Sequence, residues 1–289
     1  MSKPSILLQL DTDAQCSVFD SVVAIDAGSP HLLRHGGITP EIVQSLVHGA
    51  IFTRAVEELK NTAIFVGGSD VSAGEKLLEA IRASFFGPMR VSVMLDSGGA
   101  NTTAAAAVLA SKGHLSLAAS KALVLGSTGP VGNRIVRMLA ASGAEVRAGS
   151  RGLQRAEAVC DAVRLRVPRA KLTPVITDST DAIDNALDDV DVVFAAGAAG
   201  VSLLPAEIRK RHAKLTVAID LNAVPPVGIE GIEVTDRGKK CEGAICYGAI
   251  GVGGVKMKLH KACIRKLFQK NDLVLDAEEI LDLAIALDH

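Results

Sequence analysis

A glycine-rich segment with the chemistry of a phosphate cradle lies at residues 126–132, where the sequence reads GSTGPVG. It follows an apolar run and precedes a helical pattern, an order typical of the phosphate-binding half of a dinucleotide fold. Pro130 stands where the helix begins, and nearby backbone N–H groups would face a phosphate with the helix dipole behind them. In the G-x-G-x-x-G frame, Gly129 and Gly132 match the last two glycines and Ser127 replaces the first. We predict that the turn binds the pyrophosphate through Ser127, Thr128, Gly129, Pro130, Val131 and Gly132.

The end of the next predicted strand indicates which dinucleotide binds. An NAD site usually places Asp or Glu about 20 residues after the turn, where the carboxylate holds the ribose 2′-OH. Here that place holds Gly149, Ser150 and Arg151, with Arg155 one helical turn later. An arginine and a hydroxyl would bind a 2′-phosphate that a carboxylate would repel. The pattern predicts NADP as the cofactor through Ser150, Arg151 and Arg155, with NAD tolerated because Gly149 and Ser150 are small.

Small residues after the fourth strand of this region predict a further contact with the cofactor. Residues 194–200 read FAAGAAG, and small side chains at the carboxyl end of a strand let a cofactor lie against the backbone. We therefore expect Ala196 and Gly197 to line the site. Asn222 ends the next strand and is predicted to reach the nicotinamide ribose or carboxamide. A turn-capping role for Asn222 is an equally weighted alternative.

Alternating strand and helix patterns must position these groups. In the first part of the chain, strands are predicted at 5–10, 22–26, 62–66 and 90–95, with helices at 39–49, after 69–70 and at 101–111. Further along, strands are predicted at 122–126, 145–149, 172–176, 190–195 and 215–219, and helices near 130–142, 152–165 and 180–187. Two helices, at 255–268 and 276–286, close the chain. We predict an α/β protein of two domains with a cleft between them.

The larger predicted domain, residues 112–254, is a Rossmann-type doubly wound parallel sheet that binds NADP. The smaller one, residues 1–111, is an N-terminal α/β domain, and residues 255–289 are expected to pack back on it. The 289 residues carry a net charge of −1 and only 3% aromatic side chains, which disfavours a nucleic-acid partner. Five cysteines without a CxxC pair favour reduced thiols and a cytoplasmic location. We find no targeting segment or membrane span in the sequence.

Five segments of the chain resemble the NADP-dependent methylene-tetrahydromethanopterin dehydrogenases of methylotrophic bacteria, some of which also use methylene-tetrahydrofolate. They read LLQLDTDAQCSVFDSVVAIDAG, TAIFVGGSDVSAGEK, FFGPMRVSVMLDSGGANTTAAAAV, GSTGPVG and GAIGVGGVKMKLHKACIRKLF. The resemblance covers nearly the whole chain. One departure lies in the turn, where the family has alanine and glycine in place of Gly126 and Ser127. The resemblance implies a homo-oligomer, such as a trimer.

The resemblance also implies the reaction: methylene-tetrahydromethanopterin and NADP⁺ give the methenyl form and NADPH. The departing hydride leaves a carbon flanked by two nitrogens, whose lone pairs stabilise the cation, so no side chain must remove a proton. We therefore expect no catalytic triad, activated cysteine or metal. The protein must instead hold the carbon and the nicotinamide at roughly 3–3.5 Å in a dry site.

Polar residues of the first domain and the closing helix are the candidates for binding the pterin. We predict catalytic roles for Lys256, Asp96 and Thr102. We predict substrate-binding roles for Asp13, Asp20, Asn101, Thr103 and His260. Lys256 follows a glycine run, and its helix face includes His260, because residues four apart align. The alternative at Asp96 and Asn101 is local capping of the alanine-rich helix.

Three other functions stay open at this stage. Methylene-tetrahydrofolate is an alternative main substrate, since both pterins share the reacting carbon. A redox sensor that binds NADP without catalysis would need the glycine turn but not the polar cluster at 96–103. Another NADP enzyme on the same two-domain plan would need different catalytic groups. An enzyme that acts on a shikimate-type substrate would need a Lys–Asp pair in the first domain. An enzyme that reduces a glutamyl-tRNA would need a nucleophilic cysteine. Cys16 is the only cysteine near a predicted site loop.

Overall fold

The computed structural model describes residues 3–288. Met1, Ser2 and His289, which fall inside the predicted domain bounds, lie outside the described residues. The chain divides into two compact units. The first unit comprises the residues up to Thr102 together with Met257–Leu283, and the second comprises Thr103–Lys256 with the residues from Ala284 onward.

Strands and helices alternate along most of the described chain. The strands are β1 (Ile6–Asp11), β2 (His31–His35), β3 (Thr62–Gly67), β4 (Ser92–Leu95), β5 (Lys121–Leu125), β6 (Glu145–Ser150), β7 (Lys171–Ile176), β8 (Val192–Ala195), β9 (Val217–Asp220), β10 (Arg237–Cys241), β11 (Ala244–Tyr247) and β12 (Val274–Leu275). The helices are α1 (Val18–Asp26), α2 (Val43–Ile51), α3 (Val71–Ala83), α4 (Ala100–Lys112), α5 (Pro130–Ala141), α6 (Leu153–Arg166), α7 (Thr180–Leu187), α8 (Ala206–Arg211), α9 (Ala249–Leu267) and α10 (Ala277–Leu287). None of these helices is long and apolar enough to cross a lipid bilayer.

The first unit is built on a parallel sheet with the strand order β12-β4-β3-β1-β2. Its central strand β3 is buried at all six positions, as expected where helices cover both faces of a parallel sheet. Because the strands are parallel, their carboxyl ends meet at one edge, where Asp11 pairs with Gly67. The loops that leave this edge carry the polar residues that the sequence singled out in the first part of the chain.

The predicted strand at 22–26 is wrong, because these residues form the second half of helix α1. The hydroxyl oxygen of Ser17 accepts the backbone N–H of Asp20 at 3.2 Å and caps the start of the helix. Gly28, with a φ of +91°, follows its end. The second strand is instead β2, a mostly exposed edge strand that lacks the apolar run of a buried one.

The second unit contains a seven-stranded sheet with the order β10-β11-β9-β8-β5-β6-β7. All neighbouring strands are parallel except the β10–β11 hairpin, so the predicted doubly wound parallel sheet is confirmed. The chain runs outward from β5 through β6 to β7, and then returns to the other side of β5 to form β8 and β9. This reversal between β5 and β8 creates the crevice in which such sheets bind ligands.

Candidate functional site

A cavity of about 620 Å³ opens at the carboxyl ends of the strands of the second unit. It lies at the point where the strand order reverses, beside the loops that follow β5, β6, β7 and β8. Its lining includes most of the predicted cofactor residues: Thr128, Gly129, Pro130, Ser150, Arg151, Arg155, Ala196 and Gly197. Val131 and Gly132 lie in the first turn of α5 without lining the cavity, so any contribution they make to binding comes from the backbone.

Close backbone packing forms the glycine turn. A Cβ atom on Gly126 would lie 2.6 Å from the Cα of Gly197, and one on Gly132 would lie 2.3 Å from the carbonyl oxygen of Gly126. Gly126 also has a φ of +75°, which favours glycine. Helix α5 then begins at Pro130 without a side-chain cap. The first N–H groups of such a helix need a partner, and a phosphate is suited to that role.

Ser127 has a structural role that the predicted motif did not reveal. Its side chain is fully buried, and its hydroxyl donates to the carbonyl oxygen of Gly149 at 3.0 Å. Its backbone N–H donates to the same oxygen at 3.0 Å. Ser127 therefore joins the turn to the end of β6 and does not line the cavity. The left-handed conformation of the turn belongs to Gly126, one residue before the position that the motif assigns to its first glycine.

Substituting Ser127→Ala is expected to lower the free energy of unfolding by about 1 kcal/mol, because the substitution removes one buried hydrogen bond. Urea unfolding followed by circular dichroism measures the change. Wild-type stability combined with weakened NADP⁺ binding would contradict this structural role and place the hydroxyl in contact with the cofactor.

The two arginines after β6 stand beside an uncapped helix start. Helix α6 begins after Gly152 without a side-chain cap, and a Cβ on Gly152 would lie 3.5 Å from Nε of Arg155. The Ser150 hydroxyl oxygen accepts the N–H of Gly152 at 3.3 Å. Neither Arg151 nor Arg155 forms an ion pair with any carboxylate within residues 3–288. Two cations and a helix amino terminus fit the 2′-phosphate of NADP.

Asn222 follows β9, as predicted, and its side chain forms hydrogen bonds within the protein. Its side chain is 7% exposed and donates to the carbonyl oxygens of Ala198 at 3.3 Å and Pro226 at 3.4 Å. Its side-chain oxygen accepts the N–H of Val224 at 3.1 Å. The residue therefore connects the loops after β8 and β9 and is absent from the cavity lining. The capping alternative describes this geometry better than a contact with the nicotinamide.

One wall of the cavity was missed by sequence reasoning. It comes from the loop after β7 and from helix α7, and it consists of Thr177, Asp178, Ser179, Thr180 and Ile183. A second missed segment, Val201, Ser202, Leu203 and Pro205, follows β8. Neither segment contains a glycine pattern or another recognised motif. The only available signal was their position at the carboxyl ends of predicted strands.

In the first unit, Asp96 and Thr102 hydrogen-bond to each other. The carboxylate of Asp96 accepts the backbone N–H of Thr102 at 3.0 Å and its hydroxyl at 2.6 Å. Asn101 donates from its side chain to the carbonyl of Leu95 at 2.7 Å and to Asp276 at 3.0 Å. Asp96, Asn101 and Thr102 are at most 1% exposed. Asp96 caps the first turn of α4, as the local alternative expects, whereas Asn101 lies inside α4 and joins it to Leu95 and Asp276.

His260 and Asp20 complete this polar cluster. Nδ1 of His260 lies 3.8 Å from the carboxylate of Asp96, and the imidazole stacks on Phe65 with 5.5 Å between ring centroids. His260 is fully buried, whereas Asp20 on α1 is partly exposed. Burial raises the pKa of Asp20 above its usual value, and the nearby His260 acts in the opposite direction. Asp20 is therefore the member of the cluster that a ligand can reach.

Asp13, Thr103 and Lys256 are the other residues predicted for the pterin site. Both carboxylate oxygens of Asp13 accept hydrogen bonds from Ser69, one from its N–H at 3.0 Å and one from its hydroxyl at 2.9 Å. Asp13 therefore connects the loop after β1 to the loop after β3. Thr103 and Lys256 belong to the second unit, at the boundaries within α4 and α9. Their predicted roles stay predictions.

Cys16 and Cys246 are poorly suited to nucleophilic chemistry. All five cysteines are free. Burial, followed by the nearby carboxylate of Asp11, raises the pKa of Cys16, and burial raises the pKa of Cys246 to about 12. Because the thiolate is the nucleophile, a raised thiol pKa disfavours a covalent mechanism at neutral pH. This observation argues against the cysteine-dependent alternative.

Comparisons with known proteins agree with this geometry. Residues 126–229 match a family described as NAD(P)H-binding, and residues 18–110 match the N-terminal domain of methylene-tetrahydromethanopterin dehydrogenase. Shikimate 5-dehydrogenase from Listeria monocytogenes shares the fold at a TM-score of 0.56 and 11% identity, over 99% of this chain and 96% of that one. Quinate dehydrogenase from Corynebacterium glutamicum shares it at 0.52 and 13%, over 98% and 100%. The fold and the family match define a protein that binds a nicotinamide dinucleotide.

Two relatives from Methylorubrum extorquens identify the family. The protein named bifunctional protein MdtA is 46% identical over 98% of this chain and 99% of its own length. A protein named NAD(P)-dependent methylenetetrahydromethanopterin dehydrogenase is 32% identical over 97% of this chain and 98% of its own. The chain belongs to the methylene-tetrahydromethanopterin dehydrogenase family.

Proposed function

We propose that this protein transfers a hydride from N5,N10-methylene-tetrahydromethanopterin to NADP⁺ in one-carbon metabolism, giving the methenyl form and NADPH. One observation carries the cofactor assignment: Arg151 and Arg155, without ion-pair partners in the described chain, stand beside the same cavity as the glycine turn. The family match supplies the identity of the hydride donor. NAD⁺ is a weaker acceptor in this proposal, since the site is built for one more phosphate than NAD⁺ carries.

The residues around the cofactor cavity bind and orient NADP⁺. The amino terminus of α5 faces the pyrophosphate, and Arg151, Arg155 and the start of α6 hold the 2′-phosphate. Ala196 and Gly197 leave the backbone after β8 open to the dinucleotide. NADP⁺, when bound, supplies the hydride acceptor.

On the pterin side, we assign the carboxyl edge of the first sheet as the binding surface. Asp20 contacts the polar edge of the pterin, where amide and amino groups need acceptors. Asp96, Thr102 and His260 are positioning residues, because they are buried and hold the elements around Asp20. No group is required to remove a proton, since the nitrogens beside the reacting carbon stabilise the cation. Contacts from Asn101, Thr103, Asp13 and Lys256 stay predictions.

Substituting Asp20→Asn is expected to raise KM for the methylene-pterin by about 10- to 100-fold, the loss of one hydrogen bond to a charged group. KM for NADP⁺ should stay unchanged, because the cofactor cavity belongs to the second unit. Asp26→Asn is the matched control, since Asp26 lies on the same helix, is exposed and pairs with Lys261. Equal losses for both substrates, or an unaltered KM for the pterin, would rule out a direct contact.

A steady-state assay tests the proposed function against its alternatives. The purified protein is incubated with methylene-tetrahydromethanopterin or methylene-tetrahydrofolate, each with NADP⁺ or NAD⁺, and NADPH or NADH absorbance is followed. We expect the highest kcat/KM with methylene-tetrahydromethanopterin and NADP⁺. Faster oxidation of the folate would make it the main substrate. Binding of NADP⁺ without oxidation of either pterin would identify the sensor.

The proposal also covers the cellular location and the oligomeric state of the enzyme. We place it in the cytoplasm as a homo-oligomer such as a trimer, with neither nucleic acid nor membrane as a partner. Free cysteines and the near-zero net charge support this placement. Size-exclusion chromatography with light scattering measures the number of subunits, and a monomer at all concentrations would contradict the assembly.

A further inference from the structure

The missed wall of the cofactor cavity contains an acidic residue, Asp178. The N–H of Thr177 donates to the carbonyl of Ser150 at 2.9 Å and extends the pairing with β6 one residue beyond the end of β7. Asp178 therefore stands beside the loop that carries Arg151 and lines the same cavity. Its side chain is exposed and forms no hydrogen bond or ion pair with the rest of the described chain.

A carboxylate beside a phosphate site requires an explanation, because it would repel a 2′-phosphate placed against it. The two arginines already provide a place for that phosphate near the start of α6. Asp178 is thus expected to face a part of the ligand that donates hydrogen bonds. NADP donates hydrogen bonds from its ribose hydroxyls and from two amino groups, one on adenine and one on the nicotinamide carboxamide, and of these only the amino groups differ between bases.

The strand order distinguishes between these two groups. In a dinucleotide fold of this kind, the pyrophosphate would lie over the turn after β5, and the adenosine ribose would lie at the tip of β6. β7 is on the far side of β6 from β5, whereas β8 and β9 lie in the opposite direction. The base attached to that ribose therefore lies toward β7, and the nicotinamide lies toward β8. Ile183, which is 9% exposed, also lines the cavity.

We propose that Asp178 recognises the adenine base of NADP, its carboxylate accepting a hydrogen bond from the exocyclic amino group. This inference rests on the proposed NADP site and adds a second selector to it. The arginines select the 2′-phosphate, and Asp178 selects the base. A purine with a carbonyl oxygen in place of the amino group would put two acceptors against each other and bind poorly.

The test compares NADP⁺ with its hypoxanthine analogue, which carries a carbonyl oxygen where adenine carries the amino group. Kd values are measured by calorimetry without pterin, for NADP⁺, NAD⁺ and the analogue. The wild type is expected to prefer NADP⁺ over the analogue by about tenfold or more, and Asp178→Ala to bring the ratio close to one. Because NAD⁺ carries the same base, Asp178→Ala should weaken NADP⁺ and NAD⁺ by the same factor.

Asp181→Asn is the matched control, since Asp181 is exposed on α7 and does not line the cavity. It should keep the wild-type preference. Equal binding of the two bases by the wild type, or a preference that survives Asp178→Ala, would overturn the inference while leaving the proposed function intact. Tighter binding of NADP⁺ relative to NAD⁺ in Asp178→Ala would overturn it too, because Asp178 would then face the phosphate. Failure of the wild type to bind NADP⁺ would defeat the proposed function itself.

Discussion

Replacing Arg151 and Arg155 together with alanine is expected to lower kcat/KM for NADP⁺ by about 100- to 1,000-fold, because two charge-assisted contacts to the 2′-phosphate are lost. The value for NAD⁺ should change by less than about threefold, since NAD⁺ lacks the phosphate. The double variant should therefore use NAD⁺ as well as or better than NADP⁺. Initial rates with methylene-tetrahydromethanopterin and each dinucleotide measure the switch.

Arg169→Ala is the control for this experiment. Arg169 is exposed, and it does not line the cavity, so Arg169→Ala removes one positive charge, half the change made by the double variant, without touching the site. Equal losses for NADP⁺ and NAD⁺ in the double variant would mean that the arginines act on a part shared by both dinucleotides. The 2′-phosphate assignment would then be wrong.

Substituting Gly132→Ala is expected to have the second large effect. The new methyl group would lie 2.3 Å from the carbonyl oxygen of Gly126, which belongs to the backbone of the turn. Either α5 or the turn must shift, and overpacking of this kind lowers the free energy of unfolding by about 1–3 kcal/mol. Displacing the phosphate cradle should also weaken NADP⁺ binding by about 100-fold. Urea unfolding and calorimetric titration measure the two quantities.

Gly49→Ala is a glycine-to-alanine control within another helix. Gly49 is exposed in α2, and a Cβ placed there has no atom within 4 Å. Alanine is the better helix former, so this variant should gain about 0.5–1 kcal/mol of stability and keep its affinity for NADP⁺. If Gly132→Ala behaved like Gly49→Ala, the close packing between α5 and the turn would have no role in binding.

The glycine turn and the two arginines could be predicted from the sequence because they belong to a short series of elements that is recognisable along the chain. A strand, a glycine turn, a helix and a second strand follow one another within about 30 residues. Asp178 could not be found in this way, since it reaches the cavity through the pairing of β7 with β6 and no motif marks the loop. The prediction of the doubly wound sheet, which the structure confirms, required only the alternation of strand and helix patterns along the chain.

The predictions that differ from the structure concern residues whose type and spacing suit two different local structures. The apolar residues at 22–26 suit a buried strand, but the cap at Ser17 makes them the continuation of a helix. Asp96 and Asn101 are polar residues at a strand end, which is typical both of a ligand site and of a helix cap. Only the geometry shows that their hydrogen-bonding groups are used within the first unit. Residue type and spacing do not determine which way such a side chain is turned.

In the proposed reaction, a hydride passes directly from the one-carbon group to the nicotinamide. Methylene-tetrahydromethanopterin labelled with deuterium at the methylene carbon tests it most directly, with mass spectrometry of the NADPH formed. Direct transfer predicts NADPH that carries a single deuterium, together with unlabelled NADPH when an unlabelled substrate reacts in heavy water. Unlabelled NADPH from the labelled pterin, or deuterium taken from the solvent, would contradict it.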